Sequence, residues 1–118
     1  MNRPILETEN VSKAALKAIT GYHQETVNEV KSAVLKNKVV VVGMAQNPFV
    51  KKARAALKEA GVDYSYLEYG TYLSQWKQRL AIKLWSGWPT YPQVFMNGKL
   101  IGGFQETKAA LESGQIKK

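Results

Sequence analysis

The sequence contains no cysteine, and this absence limits its chemistry more than any other feature of its composition. A chain without thiols can form no disulfide, can offer no thiolate nucleophile, and cannot bind zinc or an iron–sulfur cluster through sulfur. It also has a single histidine, His23, so a histidine-rich metal site is excluded. The composition therefore predicts a protein without a metal centre and without an iron–sulfur cluster.

Long hydrophobic runs and low-complexity stretches are also missing from the 118 residues. The longest apolar run covers residues 39–42, which is far too short to span a bilayer. The first twenty residues include Glu7 and Glu9, whereas transit peptides are poor in acidic residues. We therefore expect a cytoplasmic protein without a membrane partner, folded as a single domain with its own hydrophobic core.

Acidic residues are scarce: the chain has 9 of them against 17 lysines and arginines, which gives a formal net charge of +8. Such a surplus favours acidic partners, from anionic proteins and nucleic acids to small carboxylates. The tightest basic group, at residues 51–58, has the spacing of a solvated helix face. Tryptophans can stack on bases, but Trp76, Trp85 and Trp88 lie at helical spacing beside leucines, which favours packing. We therefore expect an acidic protein or a small carboxylate rather than nucleic acid.

Hydrophobic periodicity predicts an α/β fold of alternating helices and strands. Residues 39–42 form a β-branched run typical of a strand that is buried on both faces. Asn97-Gly98 is a strong signal for a hairpin turn, and two strands that flank a helix are expected to be parallel with a right-handed crossover. The predicted elements are helices at 25–36, 48–60, 72–85 and 105–112, and strands at 39–42, 64–69, 93–96 and 99–101.

These elements predict a four-stranded mixed sheet with helices on both faces. Residues 21–118 are expected to form this domain, and residues 1–20 an N-terminal arm that is either mobile or a short extra helix. The third predicted helix is indicated by an apolar row at helical spacing, made up of Leu73, Trp76, Leu80 and Leu84. Beside these leucines, Trp76, Trp85 and Trp88 are expected to pack in the core and to form the wall of a groove.

Two segments carry motifs that are more specific than this general pattern. The first is Asn47-Pro48-Phe49-Val50, where Asn as N-cap and Pro at the first helical position mark a helix start. The second is Trp88-Pro89-Thr90-Tyr91-Pro92-Gln93, which continues through Asn97-Gly98 to Ile101-Gly102-Gly103. Together these motifs resemble the glutaredoxin family, and most closely its monothiol branch, over residues 37–116. The resemblance implies a thioredoxin-like fold.

The resemblance also implies a thiol chemistry that this sequence lacks. Glutaredoxins place a reactive cysteine at the start of the first long helix, where the helix N-terminus lowers the thiol pKa. Asn47 stands at that position here, and Val50 stands at the position of the family's second cysteine. Because a carboxamide and an isopropyl group form no disulfide, we predict no catalytic residue of this kind and no thiol–disulfide oxidoreductase turnover.

What the resemblance leaves is the family's glutathione-binding groove. It implies a cis peptide bond before Pro92, main-chain pairing with the ligand at Tyr91, and a carboxylate clamp at Arg79; the alternative for Arg79 is a solvated helix residue. Met44 replaces the family's usual lysine and Gln105 its usual aspartate, so we expect weak binding. The predicted glutathione-binding residues are Asn47, Pro48, Phe49, Arg79, Tyr91, Pro92, Gly103, Phe104 and Gln105.

Three functions remain open from the sequence. The first is binding of glutathione or an extended peptide without redox turnover, with the main-chain N–H groups of Phe49 and Val50 free to hold an anion. The second is an enzyme of the glutathione-transferase kind, in which the Asn47 amide stabilises the thiolate of bound glutathione. The third is a protein-interaction module that uses its basic surface to bind an acidic protein.

Overall fold

The structure, a computed structural model, describes residues 4–118 of the chain. Its N-terminal segment contains a 3-10 helix, Thr8–Asn10, and then helix α1, Lys13–Gly21. None of the residues in these two helices is buried. The described part of the predicted arm thus contains a short extra helix, and residues 1–3 of that arm lie outside the described residues.

A four-stranded mixed sheet forms the centre of the molecule, as predicted. Strand β1, Val39–Gly43, is buried along its whole length. It pairs in parallel with β2, Ser65–Glu68, and antiparallel with β3, Gln93–Met96, which forms a hairpin with β4, Lys99–Gly102. The strand order is β2-β1-β3-β4. The β-branched run thus occupies a central position, where both of its faces are covered.

Four further helices pack on the two faces of this sheet. They are α2, Gln24–Lys36; α3, Pro48–Glu59; α4, Trp76–Ser86; and α5, Phe104–Ser113. The predicted bounds of α2, α3 and α5 differ from these by a single residue at most at each end. No helix between residues 4 and 118 has both the length and the apolar character needed to cross a membrane.

The valines of β1 connect two separate hydrophobic clusters, one on each face of the sheet. Its even-numbered valines pack with Val30 of α2 and Ile82 of α4, whereas its odd-numbered valines pack with Leu57 of α3 and Ala110 of α5. This division follows from the strand geometry, because successive side chains point to opposite faces. Full burial of each such side chain stabilises the fold by roughly 1.5–3 kcal/mol.

Helix α4 begins four residues later than predicted, at Trp76 instead of residue 72. Thr71 starts a turn instead, since its N–H donates a hydrogen bond of 3.0 Å to Ser74 Oγ. Gln75 then adopts a left-handed conformation with φ 56°, which is incompatible with a continuous α-helix. The hydrophobic periodicity of this segment therefore overestimated the helix length.

The apolar row of the third predicted helix lies on the surface, so the expectation that Trp76 packs in the core was wrong. Leu73 is 95% exposed, and Trp76 and Leu84 are each 57% exposed. Helix α4 instead buries the face that carries Arg79, Ala81 and Ile82. The residues of the exposed row are Leu73, Trp76, Leu80 and Leu84, and they are called the α4 row below.

Candidate functional site

A groove with a volume of about 550 Å³ opens where the starts of α3 and α5 approach α4 and the loop before β3. It brings together eight of the nine predicted glutathione-binding residues. The exception is Pro48, which does not line the groove. The lining residues are Met44, Asn47, Phe49, Tyr72, Arg79, Lys83, Trp88, Pro89, Thr90, Tyr91, Pro92, Gly103, Phe104, Gln105 and Glu106.

The start of α3 is closed by the side chain of Asn47. Its Oδ1 accepts hydrogen bonds from the N–H groups of Phe49, at 2.9 Å, and Val50, at 3.1 Å. Pro48, which precedes Phe49, has no N–H group to offer. The expectation that these N–H groups are free to hold an anion was therefore wrong, because a side-chain oxygen of the chain itself occupies the position where an anion would be bound.

Met44, at the position of the family's usual lysine, belongs to the core and contributes no charge. It is 5% exposed and packs in the cluster that includes Val42 and Val50. The wall of the groove next to the start of α3 is consequently apolar on this side. The half-exposed ring of Phe49 extends this apolar character towards solvent.

Arg79 is the buried cation of the groove, with only 7% of its surface exposed. Its Nη1 donates a hydrogen bond of 2.9 Å to the Tyr69 carbonyl and a second bond to the Ser74 carbonyl. These bonds hold the guanidinium against the wall of the groove and contradict the alternative of a solvated helix residue. Within residues 4–118 no partner is found for the other two guanidinium nitrogens, which leaves them available for a carboxylate.

Tyr91 fixes the loop before β3 against α4. Its hydroxyl donates a hydrogen bond of 2.6 Å to the Arg79 carbonyl. Burial raises the pKa of Tyr91 and the nearby charge of Arg79 lowers it to a smaller extent, so the phenol stays protonated at neutral pH. The Tyr91–Pro92 peptide bond is cis.

The start of α5 differs from the start of α3 because its N-cap is Gly103, which has no side chain. Glu106 Oε1 accepts a hydrogen bond of 3.0 Å from the Gly103 N–H. The N–H groups of Phe104 and Gln105 in the first turn receive no side-chain cap. This helix start is therefore open to an acceptor from a ligand.

Gly102 allows α5 to begin this close to the sheet. Its φ of 131° is rarely adopted by residues with a side chain. A Cβ at this position would also lie 2.7 Å from Glu106 Cγ and 2.8 Å from Glu106 Cβ. Glycine is therefore required both by the conformation and by the close approach of Glu106.

Trp88 forms part of the groove wall, as the sequence indicated, and lies beside the open helix start. Its carbonyl accepts a hydrogen bond of 3.1 Å from Nε2 of the fully buried Gln93, which fixes the loop. Its indole Nε1–H is buried and has no hydrogen-bond partner in the described part of the chain. This nitrogen lies 3.5 Å from the point where a Cβ of Gly103 would stand.

Sequence reasoning missed several lining residues, of which Lys83 and Glu106 carry charge. The Lys83 Nζ lies 5.6 Å from the centroid of the Tyr91 ring. Lys83 follows Arg79 by four residues, and side chains at this spacing share a helix face, so the helical pattern could have identified it. No Asp or Glu occurs between Tyr69 and Gln105. The groove therefore has a positive wall, which favours anionic ligands.

Comparisons with known sequences identify the family. A model of the glutaredoxin family matches residues 39–101. A glutaredoxin-like protein of Dictyostelium discoideum is 50% identical over 117 residues, which cover 98% of this chain and 92% of that protein. A probable monothiol glutaredoxin 2 of Rickettsia typhi is 33% identical over 94 residues, which cover 75% of this chain and 82% of that protein. The chain belongs to the glutaredoxin family, as the motifs predicted.

Solved structures show the same fold. The oxidized glutaredoxin 2 from Chlamydomonas reinhardtii superimposes with a TM-score of 0.66 at 33% identity, covering 77% of this chain and 86% of that chain. A buckwheat glutaredoxin in complex with glutathione superimposes with a TM-score of 0.67 at 21% identity, covering 78% and 84% of the two chains. The predicted thioredoxin-like α/β fold is thereby confirmed.

Proposed function

We propose that this protein is a cysteine-less glutaredoxin that binds glutathione, or an extended peptide of similar chemistry, without thiol–disulfide turnover. One observation carries the proposal. The groove gathers a buried arginine, the Tyr91–Pro92 segment and an open helix start, whereas Asn47 caps the helix at the family's cysteine position. Binding groups are thus present in a family member that has no thiol of its own.

The proposed ligand lies along Tyr91 and Pro92, with its two ends in different surroundings. Its glycine carboxylate points towards Arg79, whose planar guanidinium suits paired hydrogen bonds to a carboxylate. Its γ-glutamyl end points towards the open start of α5, where uncapped N–H groups suit an anion. The unpartnered indole N–H of Trp88 beside Gly103 is a further donor at this end. The glutathione-bound buckwheat glutaredoxin, which shares the fold, supports a ligand of this class.

Weak affinity is part of the proposal because two polar anchors are replaced. Met44 is apolar and buried, and the exposed Gln105 is neutral. A hydrogen bond to a charged group contributes roughly 1.5–3 kcal/mol, against about 1 kcal/mol for a neutral pair. We therefore expect a dissociation constant in the millimolar range.

Calorimetric titration with glutathione tests the binding proposal. Gln105→Asp restores a carboxylate at the groove and should tighten binding by about two- to tenfold, since it converts a neutral contact to a charged one. Gln115→Asp is the matched control, because it makes the same charge change at an exposed residue outside the groove. If neither the wild type nor Gln105→Asp binds glutathione at millimolar concentration, the groove serves another ligand.

A disulfide-reductase assay with glutathione as reductant tests the redox part of the proposal. The purified protein should give no turnover above the uncatalysed rate, because Asn47 and Val50 stand at the two cysteine positions. Asn47→Cys is the companion variant: removal of the cap exposes the helix start, which should lower the pKa of the new thiol below about 8.5. Turnover by the wild-type protein would contradict the proposal.

The α4 row supports a second candidate function, the binding of an acidic protein. Leu73, Trp76 and Leu84 form an exposed apolar surface, and such surfaces often mark interaction sites. Lys77 accompanies them, with its Nζ 5.7 Å from the Trp76 ring centroid. Because Lys77 adds a positive charge beside the apolar side chains, an acidic partner would complement this part of the surface.

A pair of surface variants tests this second function. Wild-type protein should retain an acidic protein from a cell extract, and the purified pair should bind in solution. Leu73→Ser combined with Trp76→Ser should abolish the interaction, whereas Leu35→Ser, at an exposed leucine on α2, should leave it unchanged. Equal binding by both variants would exclude the α4 row as the interface.

A further inference from the structure

The groove geometry bears on whether the sulfur of a bound ligand is charged, an inference that rests on the proposed function. In the proposed pose the ligand's cysteinyl part pairs with the main chain at Tyr91, and Asn47 and Met44 line the same groove. The preferred charge state of the bound sulfur therefore depends on the hydrogen-bond donors and the apolar surface that these two residues place around it.

The start of α3 offers little to a negative charge. An uncapped helix start stabilises an anion through its free N–H groups and its partial positive charge. Here the N–H groups of Phe49 and Val50 are already bonded to Asn47 Oδ1, at 2.9 Å and 3.1 Å. The two main-chain donors that would otherwise stabilise a thiolate are thus occupied within the protein.

The apolar wall beside this helix start acts in the same direction. Met44 is 5% exposed in the core, and the adjacent ring of Phe49 is half-exposed. A thiolate placed here loses hydration without gaining a cation, whereas a neutral thiol or thioether has little hydration to lose. Thioether and thiol sulfurs also accept weak hydrogen bonds.

The other charged groups at the groove make contacts within the protein itself. Arg79 donates to two main-chain carbonyls, and Lys83 lies over the Tyr91 ring. Lys52 is exposed, with its Nζ 5.4 Å from the Phe49 ring centroid, so solvent and salt screen it. The Glu106 carboxylate accepts from Gly103 N–H. The titratable phenols of the groove are Tyr72 and Tyr91.

We propose that the groove selects glutathione-type ligands whose sulfur is uncharged, as a thiol or a thioether, over the corresponding thiolate. Asn47 is the residue that sets this selectivity, because its side chain occupies the anion position at the start of α3. The ligand class therefore includes S-substituted glutathione, in which no ionisable sulfur remains.

Comparing two ligands at two pH values distinguishes the effect of the sulfur charge on binding from the effects of the rest of the ligand. Glutathione ionises at sulfur with a thiol pKa near 8.5, as for a free cysteine, whereas S-methylglutathione cannot. The association constants of both ligands are measured by NMR titration at pH 7 and pH 9.5 without oxygen. At each pH, the association constant of glutathione is divided by that of S-methylglutathione. For the wild type, this ratio should be close to one at pH 7 and should fall severalfold at pH 9.5.

A matched pair of variants assigns the effect to the cap. Asn47→Ala frees the two N–H groups, so its ratio at pH 9.5 should exceed that of the wild type by about two- to fivefold. Asn47→Ser retains a capping oxygen and should reproduce the wild-type ratio, whatever its absolute affinity. Circular dichroism at both pH values confirms that each variant is folded.

The possible outcomes are distinct. A wild-type ratio that rises at pH 9.5 and falls in Asn47→Ala overturns the inference and supports the transferase-like alternative, with Asn47 as a thiolate donor. Binding of glutathione but not of S-methylglutathione at pH 7 also overturns it, while the proposed function stands. If neither ligand binds at pH 7, the proposed function fails, and the inference fails with it.

Discussion

The two helix starts that face the groove occupy similar positions in the fold but offer opposite chemistry. At α3 the N-cap is Asn47, whose side chain accepts hydrogen bonds from two N–H groups of the first turn. At α5 the N-cap is Gly103, which provides no acceptor to the first turn. One helix start is therefore closed to ligands and the other is open.

The difference shows how a single N-cap residue can change a binding site without changing the fold. The family places a cysteine at the position of Asn47, and its thiolate depends on the helix N-terminus. Replacement by asparagine turns the same N–H groups inward to stabilise the helix itself, which contributes about 1 kcal/mol to the fold. In this chain the position therefore carries a structural cap, whereas the start of α5 has no side-chain cap.

The largest expected effect comes from removing Arg79, the buried cation that lies between the two helix starts. Arg79→Ala leaves the carbonyls of Tyr69 and Ser74 without their donor, so the free energy of unfolding should fall by roughly 1–3 kcal/mol. The affinity for glutathione should fall by about tenfold or more, because a charged pair is lost. Urea denaturation and calorimetry measure the two quantities.

Lys83→Ala is the control for this variant, since Lys83 carries charge into the groove and has no hydrogen bond to the main chain of residues 4–118. Its free energy of unfolding should stay within about 0.5 kcal/mol of the wild type. Equal losses of stability in both variants would show that Arg79 does not hold the main chain as the structure indicates.

Opening the closed helix start should have the next largest effect. Asn47→Ala removes the acceptor for the N–H groups of Phe49 and Val50, so the free energy of unfolding should fall by about 1 kcal/mol. Asn47→Asp keeps an acceptor and adds a favourable negative charge at the helix N-terminus, so its stability should match or exceed that of the wild type. Chemical denaturation of the wild type and the two variants measures the free energies of unfolding. A free energy of unfolding for Asn47→Ala equal to that of the wild type would contradict the capping role.

The stability of the fold should decrease at alkaline pH because of two buried tyrosines near the groove. Burial raises the pKa of Tyr91, and burial together with Glu29 raises the pKa of Tyr69, from an ordinary value of 10.0. The folded chain thus keeps these protons where the unfolded chain has lost them. Their stabilising contribution is complete below about pH 10 and is lost as the pH rises towards the folded pKa values. Thermal unfolding should therefore show decreasing stability above pH 10.

Tyr91→Phe tests this assignment. At pH 7 it should lower the free energy of unfolding by about 0.5–1.5 kcal/mol, through loss of the hydrogen bond to the Arg79 carbonyl. Above pH 10 its stability should decline less steeply than that of the wild type, because one titrating group has been removed. Parallel pH profiles for the two proteins would contradict the role of Tyr91.

Closing the open helix start should have the smallest effect. Gly103→Asn adds a side-chain acceptor for the first turn of α5, so the affinity for glutathione should fall by about two- to fivefold. Gly103→Ala is the matched control: its Cβ would meet other atoms at 3.5 Å or more, which is ordinary contact, and it adds no acceptor. Equal affinities for Gly103→Asn and Gly103→Ala would show that the α5 start does not bind the ligand.

Local signals in the sequence determined the fold and the two helix starts. The run at residues 39–42, the Asn47-Pro48 pair and the Asn97-Gly98 turn each act through the geometry of a few neighbouring residues. All three form the predicted structure: an N-cap and a tight turn depend on a few neighbouring residues, and an uninterrupted β-branched run is stable only where both faces of the strand are covered. The absence of cysteine likewise follows from the sequence alone.

Tertiary structure decided which faces are buried and which donors are free. The periodicity of the α4 row is the same whether that face points inward or outward, and only the packing of Ile82 and the capture of Arg79 by two carbonyls turned it to the surface. The sequence identified Asn47 as a cap, but only the structure showed that its oxygen takes both N–H groups expected to be free. Hydrogen bonds depend on distances and directions between atoms, which the order of residues does not contain.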